Sequence, residues 1–359
     1  MKCALVSKQW FNVIRNGIKH SLTIRKDTKL KGQFLENVEN LQVFDKFRLP
    51  NRFDCEIFES MKKLTKVYLS SETIDSKGAK YLAGLNNLTD IHVDSYNNFG
   101  NESLYYLSKL SQLTKLSIGS KNNITYEGVE YLSQLSKLTY LCITGNETTD
   151  EQVKLISSFK QLKTLNIYSN LISDKSAEYI SNLDELTVLV INNNQIGSKG
   201  AKFISGMKQL KQLSDSYTKL GETGVKHICE MTQLTHLYIC NTKIGNSGAK
   251  NIIKLKQLQL LDISYNGINN EIVELLSQLD QLTFLNISGS AIDNLALTFI
   301  NKMNQLTYLD VSYNGINDEG LIYISKMKPL KQVGIGFLQL SRNQMGSLWK
   351  SIQTVERQY

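Results

Sequence analysis

Residues 186–209 read LTVLVINNNQIGSKGAKFISGMKQ, and the same pattern returns along most of the chain. Its opening phrase, Leu-Thr-x-Leu-x-Ile or a close variant, begins at residues 64, 88, 113, 138, 162, 186, 210, 234, 258, 282, 306 and 330. Successive copies lie 24 residues apart, except for two copies that lie 25 apart. A fixed period of this length indicates stacked structural units that share one continuous core.

The first columns of the repeat predict a strand followed by a turn. In the copy that begins at Leu258, Leu261 and Ile263 alternate with residues that point to the opposite face, as in a short strand. A short polar residue then fills one column, where its side chain can hydrogen-bond the main chain leaving the strand. That column holds Asn146, Asn170, Asn194, Thr218, Thr242, Asn266, Ser290 and Asn314.

The later columns predict a helix in every copy. A residue suited to a helix N-cap comes first, and a small pair such as Gly200-Ala201 or Gly248-Ala249 follows it, so the helix can lie close to the strands. The N-cap column holds Asp75, Thr125, Thr149, Ser173, Gly197, Gly221, Gly245, Asn269, Asp293 and Asn317.

With these columns, residues 64 to about 340 resemble leucine-rich repeat proteins, in particular the 24-residue class in which a Gly-Ala or Gly-Val pair opens the helix. The resemblance implies an α/β solenoid of about 12 regular repeats. It implies a horseshoe with a concave parallel sheet and convex helices.

The chain ends depart from the regular pattern. Residues 21–63 read as degenerate capping repeats, because Leu22, Ile24, Leu41 and Val43 keep only part of the spacing. Residues 337–359 are predicted to form a capping helix, since apolar residues from Met345 to Val355 fall on one helical face. The regular repeats therefore occupy 64–336, and residues 1–20 form a separate segment.

The first segment carries a second resemblance. Leu5-Val6, Trp10 and Val13-Ile14 resemble the closing helix of an F-box, the module that docks on a Skp-type adaptor of a cullin ubiquitin ligase. The resemblance implies adaptor contacts from Leu5, Val6, Trp10 and Ile14. Only the last third of an F-box is present, so we expect a misplaced or truncated start, or a vestigial motif; alternatively, Trp10 belongs to a capping helix.

The strand positions that point away from the core are predicted to form the binding surface. They are rich in aromatic and amide side chains, which suit protein interfaces, although strands also favour Tyr, Thr and Asn for their shape. The predicted concave-face residues are Tyr68, His92, Tyr140, Tyr168, His236, Tyr238, Asp262, Tyr265, Phe284, Tyr308, Asp310 and Tyr313. The best candidate centre is Phe284, Tyr308, Tyr265 and Tyr313 with Asp262 and Asp310, whose carboxylates are expected to face water, with nothing that raises one pKa relative to the other.

Charge and composition exclude several other classes. The net charge of +8 comes from the ends, because residues 64–336 carry 25 Lys against 25 Asp and Glu, and no Arg. We therefore expect no nucleic-acid partner. No stretch reaches 18 apolar residues, so no membrane partner is expected. The five cysteines lack metal or disulfide spacing, which favours a cytosolic or nuclear location.

Catalysis finds no support in the sequence. His236 and Cys240 lie four residues apart along one strand, about 13 Å and beyond hydrogen-bond reach. We predict no catalytic, cofactor or metal site. The first hypothesis is the substrate-recognition subunit of a Skp-cullin-F-box ubiquitin ligase, which holds a target protein on its concave face. The alternatives are a free-standing leucine-rich repeat scaffold, or an inhibitor or regulator of an enzyme or GTPase.

Overall fold

The computed structural model describes residues 12–16, 19–25, 33–44, 55–70, 74–341 and 354–356. The chain divides into two compact units, residues 1–171 and 172–359. In both units a regular repeat consists of a short strand, a turn and a short helix. Among the described residues, no helix is long and apolar enough to cross a membrane.

The first unit contains strands that follow one another across a sheet in chain order. The initial pair, β1 and β2, is antiparallel, and every later neighbour is parallel. The strands are Asn12–Asn16 (β1), Lys19–Arg25 (β2), Asn40–Phe44 (β3), Lys66–Leu69 (β4), Asp90–Val93 (β5), Lys115–Ile118 (β6), Tyr140–Ile143 (β7) and Thr164–Asn166 (β8). The helices are Ser76–Leu82 (α1), Gly100–Leu107 (α2), Tyr126–Leu132 (α3) and Asp150–Ile156 (α4), with 3₁₀ helices at Gln33–Asn37 and Cys55–Ser60.

The second unit repeats this arrangement with parallel strands throughout. Its strands are Val188–Val190 (β9), Gln212–Ser214 (β10), His236–Tyr238 (β11), Leu260–Asp262 (β12), Phe284–Asn286 (β13), Tyr308–Asp310 (β14), Gln332–Gly334 (β15) and Thr354–Glu356 (β16). Its helices are Asp174–Ile180 (α5), Ser198–Ile204 (α6), Gly221–Ile228 (α7), Gly245–Ala249 (α8), Asn270–Leu276 (α9), Asn294–Ile300 (α10) and Asp318–Ser325 (α11), with a 3₁₀ helix at Lys250–Lys254. The predicted α/β solenoid of parallel strands is confirmed.

The core is built from the columns that the repeat predicts. In β12 and the residue after it, Leu261 and Ile263 are fully buried, whereas Leu260 and Asp262, which alternate with them, retain contact with solvent. The helices close over these side chains because their small residues permit a near approach. A Cβ atom on Gly200 would lie 2.7 Å from side-chain atoms of Asp174 and Ile196, so a larger residue does not fit there.

A buried asparagine joins each turn of the first unit to its neighbour. The side-chain oxygens of Asn146 and Asn170 accept hydrogen bonds from the backbone N–H of Asn122 and Asn146, at 2.9 and 3.1 Å. The Asn170 side-chain nitrogen also donates to the carbonyls of Ile143 and Ile167, at 2.8 and 3.0 Å. Each of these amides therefore satisfies backbone groups in two successive repeats, which water cannot reach.

The helix caps follow the predicted column with two corrections. Asp75, Ser173, Asn269, Asp293 and Asn317 cap their helices with side-chain hydrogen bonds. Gly221 and Gly245 are instead the first helical residues, after the N-caps Leu220 and Ile244. Both glycines have positive φ, so these turns use glycine for its backbone freedom and place no capping side chain.

Both chain ends differ from the predicted helices where they are described. Asn12–Asn16, which includes Val13 and Ile14 of the F-box-like stretch, is a strand, while Leu5, Val6 and Trp10 lie outside the described residues. Residues 337–341 are not helical, and Thr354–Glu356 pairs with β15. The physical reason is the exposed edge of the sheet, whose unpaired N–H and C=O groups are satisfied by an added strand.

One residue breaks the core column of the second unit. Asp215 occupies the position held by Ile191, Ile239 and Ile263 in other repeats, and it is fully buried. Neither of its carboxylate oxygens has a hydrogen-bond partner. Burial raises the pKa of Asp215 to about 8, and the nearby Thr218 hydroxyl donates to the Asp215 backbone carbonyl at 2.9 Å and not to its carboxylate. The core of this repeat therefore holds a carboxylic acid that is expensive to ionise.

Replacing Asn266 with alanine tests the asparagine column. Asn266 accepts a hydrogen bond from the Thr242 N–H at 3.0 Å and donates to the Ile239 carbonyl at 2.7 Å. Asn266→Ala leaves these buried groups unpaired, so we expect a loss of about 2–4 kcal/mol of unfolding free energy in urea denaturation. Asn304→Ala, at an exposed loop position, is the control. Equal effects of the two substitutions would contradict the assigned role.

Replacing Asp215 with isoleucine tests the buried acid. Because its pKa is raised in the folded chain, the folded state keeps its proton between about pH 4 and pH 8 while the unfolded chain loses it. The wild-type protein should therefore lose several kcal/mol, on the order of 1.4 per pH unit, across that window. Asp215→Ile should be more stable, by a margin that grows as the pH rises from 4 to 8. A pH-independent margin in urea denaturation would show that the acid is not held protonated.

Candidate functional site

The second unit presents two rows of side chains on the open face of its sheet. One row is formed by the first residue of each strand and the other by the third, because alternate strand residues share a face. Hydrogen-bond register aligns Phe284 with Tyr308 in the first row, and Asp262, Asn286 and Asp310 in the second. Residues from the turns after the strands add a third row, described below.

The first row contains a stacked aromatic pair. The rings of Phe284 and Tyr308 are parallel within 4°, with centroids 4.0 Å apart. Both residues are half-buried, so one surface of the pair packs on the protein and the rest remains available. Such rigid aromatic area, already partly desolvated, is typical of residues that anchor protein interfaces.

The second row contains two carboxylates separated by an amide. Asp262 accepts hydrogen bonds from the Ser264 N–H (3.0 Å), the Ser264 hydroxyl (2.6 Å) and the Asn286 side chain (3.2 Å). Burial raises the pKa of Asp262, these hydrogen bonds lower it, and the charge of Asp310 adds to the increase. The expectation that these carboxylates face water, with nothing to raise one pKa relative to the other, is therefore wrong for Asp262, because most of this residue is buried.

Asp310 is positioned by a hydrogen bond from its own turn and by the space next to Gly334, which has no side chain. It is only 9% exposed, and it accepts a hydrogen bond from the Ser312 N–H at 2.9 Å. The next residue in the row is Gly334, where an added Cβ atom would collide with the Asp310 carboxylate. Glycine at this position therefore leaves the space that the carboxylate occupies.

The third row consists of aromatic residues in the turns that follow the strands. Tyr265, Tyr313 and Phe337 are 46%, 38% and 55% exposed, which is unusually open for such large apolar side chains. Tyr313 stacks on Phe337 with centroids 4.3 Å apart, and its centroid lies 6.2 Å from that of Tyr265. The Tyr265 ring lies against Gly289, the residue at the same position of the intervening repeat.

These turn residues adopt a left-handed backbone. Their φ angles are 55° at Tyr265 and 56° at both Tyr313 and Phe337, a region that side chains other than Asn and Gly rarely occupy. At the same position the other repeats of this part of the chain carry Ser169, Asn193, Tyr217, Asn241 and Gly289, all with positive φ. Aromatic residues there cost about 1–3 kcal/mol each, and unfavourable backbone of this kind concentrates at functional sites.

We call Asp262, Tyr265, Phe284, Tyr308, Asp310, Tyr313 and Phe337 the acid–aromatic face. Within the described part of the second unit, neither Asp262 nor Asp310 has a lysine or histidine within salt-bridge distance. The face is therefore negative as well as apolar, and its charge is not neutralised by the repeats that carry it.

The first unit brings together another pair of predicted residues. Tyr68 and His92 stack with centroids 4.3 Å apart, and the Tyr68 hydroxyl donates to Asp94 at 3.4 Å. Burial raises the pKa of Tyr68, and the charge and hydrogen bond of Asp94 add to the increase. Burial lowers the pKa of His92, against the opposing charges of Asp94 and Asp90. Lys66 lies 3.8 Å from Asp90. Here a lysine accompanies the acids, unlike in the second unit.

Other predicted face residues lie apart from these pairs. Tyr140 is next to Cys142 on β7, and burial raises its pKa. Tyr168 is 42% exposed after β8. Tyr238 aligns with Asp262, and burial with that carboxylate raises its pKa. The His236 Nδ1 atom lies 2.9 Å from the Thr235 hydroxyl oxygen, and burial lowers the pKa of His236.

No metal-binding geometry is found where side chains are described. In those parts of the chain, no group of three or more His, Cys, Asp or Glu side chains lies close enough together to hold a metal ion. Cys142 and Cys240 are buried. The assembled site is thus a surface of aromatic rings and carboxylates, suited to binding.

Phe337 is the site residue that sequence reasoning missed. The sequence predicts that Phe337 begins the capping helix at 337–359, yet its ring stacks on Tyr313 as the last member of the third row. Phe337 lies 24 residues after Tyr313, one repeat period, and this spacing would have identified it as a turn residue of the same row. The repeat therefore continues through this turn.

Comparisons with known proteins agree with the geometry. A family model described as a leucine-rich repeat matches residues 186–205, 256–277 and 302–325. The three matched segments are leucine-rich repeats, and the repeating strand, turn and helix around them form a leucine-rich repeat solenoid. A search of curated proteins finds no match.

Solved structures share the leucine-rich repeat fold. An internalin of Listeria monocytogenes is 20% identical, with a TM-score of 0.50, and the match covers 94% of this chain and 87% of that one. A leucine-rich repeat protein of Leptospira interrogans is 18% identical, with a TM-score of 0.53, and the match covers 90% and 86% of the two chains. At such identities the likeness concerns the fold alone.

Proposed function

We propose that this leucine-rich repeat protein is a non-catalytic recognition module that binds a partner protein through the open face of its strands. The observation that carries the proposal is the acid–aromatic face, where one half-buried and one exposed pair of stacked aromatic rings lie beside partly buried carboxylates. Aromatic residues at the centre of an interface provide most of its binding energy, because they bury large areas at a small entropic cost.

Exposure of these rings has no explanation within the repeat itself. The core is closed by the leucine and isoleucine columns, so the rings of Tyr313 and Phe337 add little to it. Left-handed aromatic residues also cost folding energy that Asn or Gly would save. A partner that covers the rings accounts for both features.

Substitution of the stacked pair tests this proposal. Tagged full-length protein carrying Phe284→Ala and Tyr308→Ala should lose its main partner in quantitative capture from cell extract, because each anchor contributes about 2 kcal/mol or more. The matched control is Tyr105→Ala with Tyr131→Ala, an aromatic pair on helices α2 and α3 whose centroids lie 5.4 Å apart. Loss of the partner in the control alone would place the binding surface on the helices.

A second candidate is favoured by the resemblance of Leu5-Val6 and Trp10 to the end of an F-box. In this version the module is the substrate-recognition subunit of a Skp-cullin-F-box ubiquitin ligase, with the target protein on the acid–aromatic face. Without an adaptor, the protein acts as a free-standing scaffold or as an inhibitor or regulator.

Capture also separates these two candidates. A ligase subunit should bring down a Skp-type adaptor and a cullin in stoichiometric amounts. Leu5→Asp with Trp10→Ala should remove both, whereas Phe284→Ala with Tyr308→Ala should leave them bound. A partner protein recovered without adaptor or cullin would reject the ligase role and retain the scaffold.

A further inference from the structure

Resting on the proposed function, we infer that the acid–aromatic face takes a peptide segment of its partner in polyproline II conformation, in which arginine or lysine residues recur every third position. The segment crosses the strands, so that one cationic side chain meets Asp262 and the next meets Asp310. The aromatic rows on either side bound the path.

The charge of the face favours a cationic occupant. Asp262 and Asp310 are two repeats apart, and the residue between them is the neutral Asn286. Neither carboxylate is within salt-bridge distance of a lysine or histidine in the described second unit, and residues 64–336 contain no arginine. Acids covered by neighbouring strands and left without a counter-charge are best matched by a cation from another molecule.

The spacing of the two acids sets the spacing of the cations. Neighbouring strands of a sheet lie about 4.8 Å apart, so positions two strands apart are separated by about 9.6 Å. A polyproline II segment has three residues per turn and rises about 3.1 Å per residue, so side chains three positions apart point the same way and lie about 9.3 Å apart. Alternate or adjacent cations would not fit both carboxylates with a straight backbone.

The aromatic rows suit the same side chains. Phe284 and Tyr308 stand in the row before the acids, and Tyr265, Tyr313 and Phe337 follow them in the turns. A guanidinium or ammonium group between them would gain contact with aromatic rings as well as with a carboxylate. The long methylene stems of Arg and Lys would cover the exposed ring surface. One residue type thus satisfies both parts of the face.

The test uses the full-length protein and a synthetic peptide of about 12 residues, with arginine at every third position among proline and serine. Isothermal titration calorimetry compares it with the same peptide carrying citrulline, which keeps the shape and removes the charge. The arginine peptide should bind at least tenfold more tightly, and added salt should reduce the difference. The net charge of +8 repels cations overall, so binding reports the local face.

Variants locate the binding. Asp262→Asn with Asp310→Asn keeps side-chain shape and should weaken binding of the arginine peptide at least tenfold, as should Phe284→Ala with Tyr308→Ala. Asp280→Asn, an exposed acid in the same unit, should change affinity less than twofold. Because burial raises the pKa of Asp262, lowering the pH from 7 to 4 should weaken binding to the unmutated protein, a readout that needs no variant.

The outcomes separate this inference from the proposed function. Equal binding of arginine and citrulline peptides, no binding of either, or equal weakening by Asp280→Asn would overturn it. Self-association of the chain that Phe284→Ala with Tyr308→Ala abolishes would assign the face to a second copy and also overturn it. If the inference fails while that aromatic pair remains necessary for capture of the natural partner, the proposed function stands without a cationic segment.

Discussion

The buried asparagine amide is the interaction on which the repeat depends. Each short strand ends in a turn whose N–H and C=O groups lie inside the protein, where water cannot pair them. An asparagine has a donor and an acceptor in one planar group, so Asn170 can bond its own turn and the preceding one at once. A single repeat cannot complete this pattern, and adjacent repeats consequently stabilise each other.

That internal regularity leaves the outward positions free to vary. The strand residues between the core columns, together with the left-handed residue of each turn, contribute little to closing the core. In the second unit these positions carry Phe284, Tyr308 and Tyr313 beside Asp262 and Asp310, whose carboxylates accept hydrogen bonds from Ser264 and Ser312. Asp215 is the opposite case, a polar residue in a core column, and it pays the full cost of burial.

Most of the fold could be predicted because the same residue pattern recurs in every regular repeat. The Leu and Ile columns gave the strands, and the Asn and small-residue columns gave the turns and helices. Local competition explains the misses. Gly221 and Gly245 adopt a positive φ and do not act as helix caps. At Thr354–Glu356, pairing with the exposed edge of the sheet outweighs the helical spacing of the apolar residues. The burial of Asp262 depends on the side chains of the neighbouring strands, which the spacing of residues within one repeat does not show.

The left-handed turn residues have a consequence for the thermodynamics of association. A ring fixed by its backbone and by a stacked neighbour, as Tyr313 is by Phe337, has few rotamers left to lose when a partner arrives. The loss of side-chain entropy that normally opposes binding has therefore already occurred when the chain folds, before the partner binds. A small surface of this kind can then hold its partner for longer than its area alone would suggest, because contacts are not weakened by the freezing of side chains.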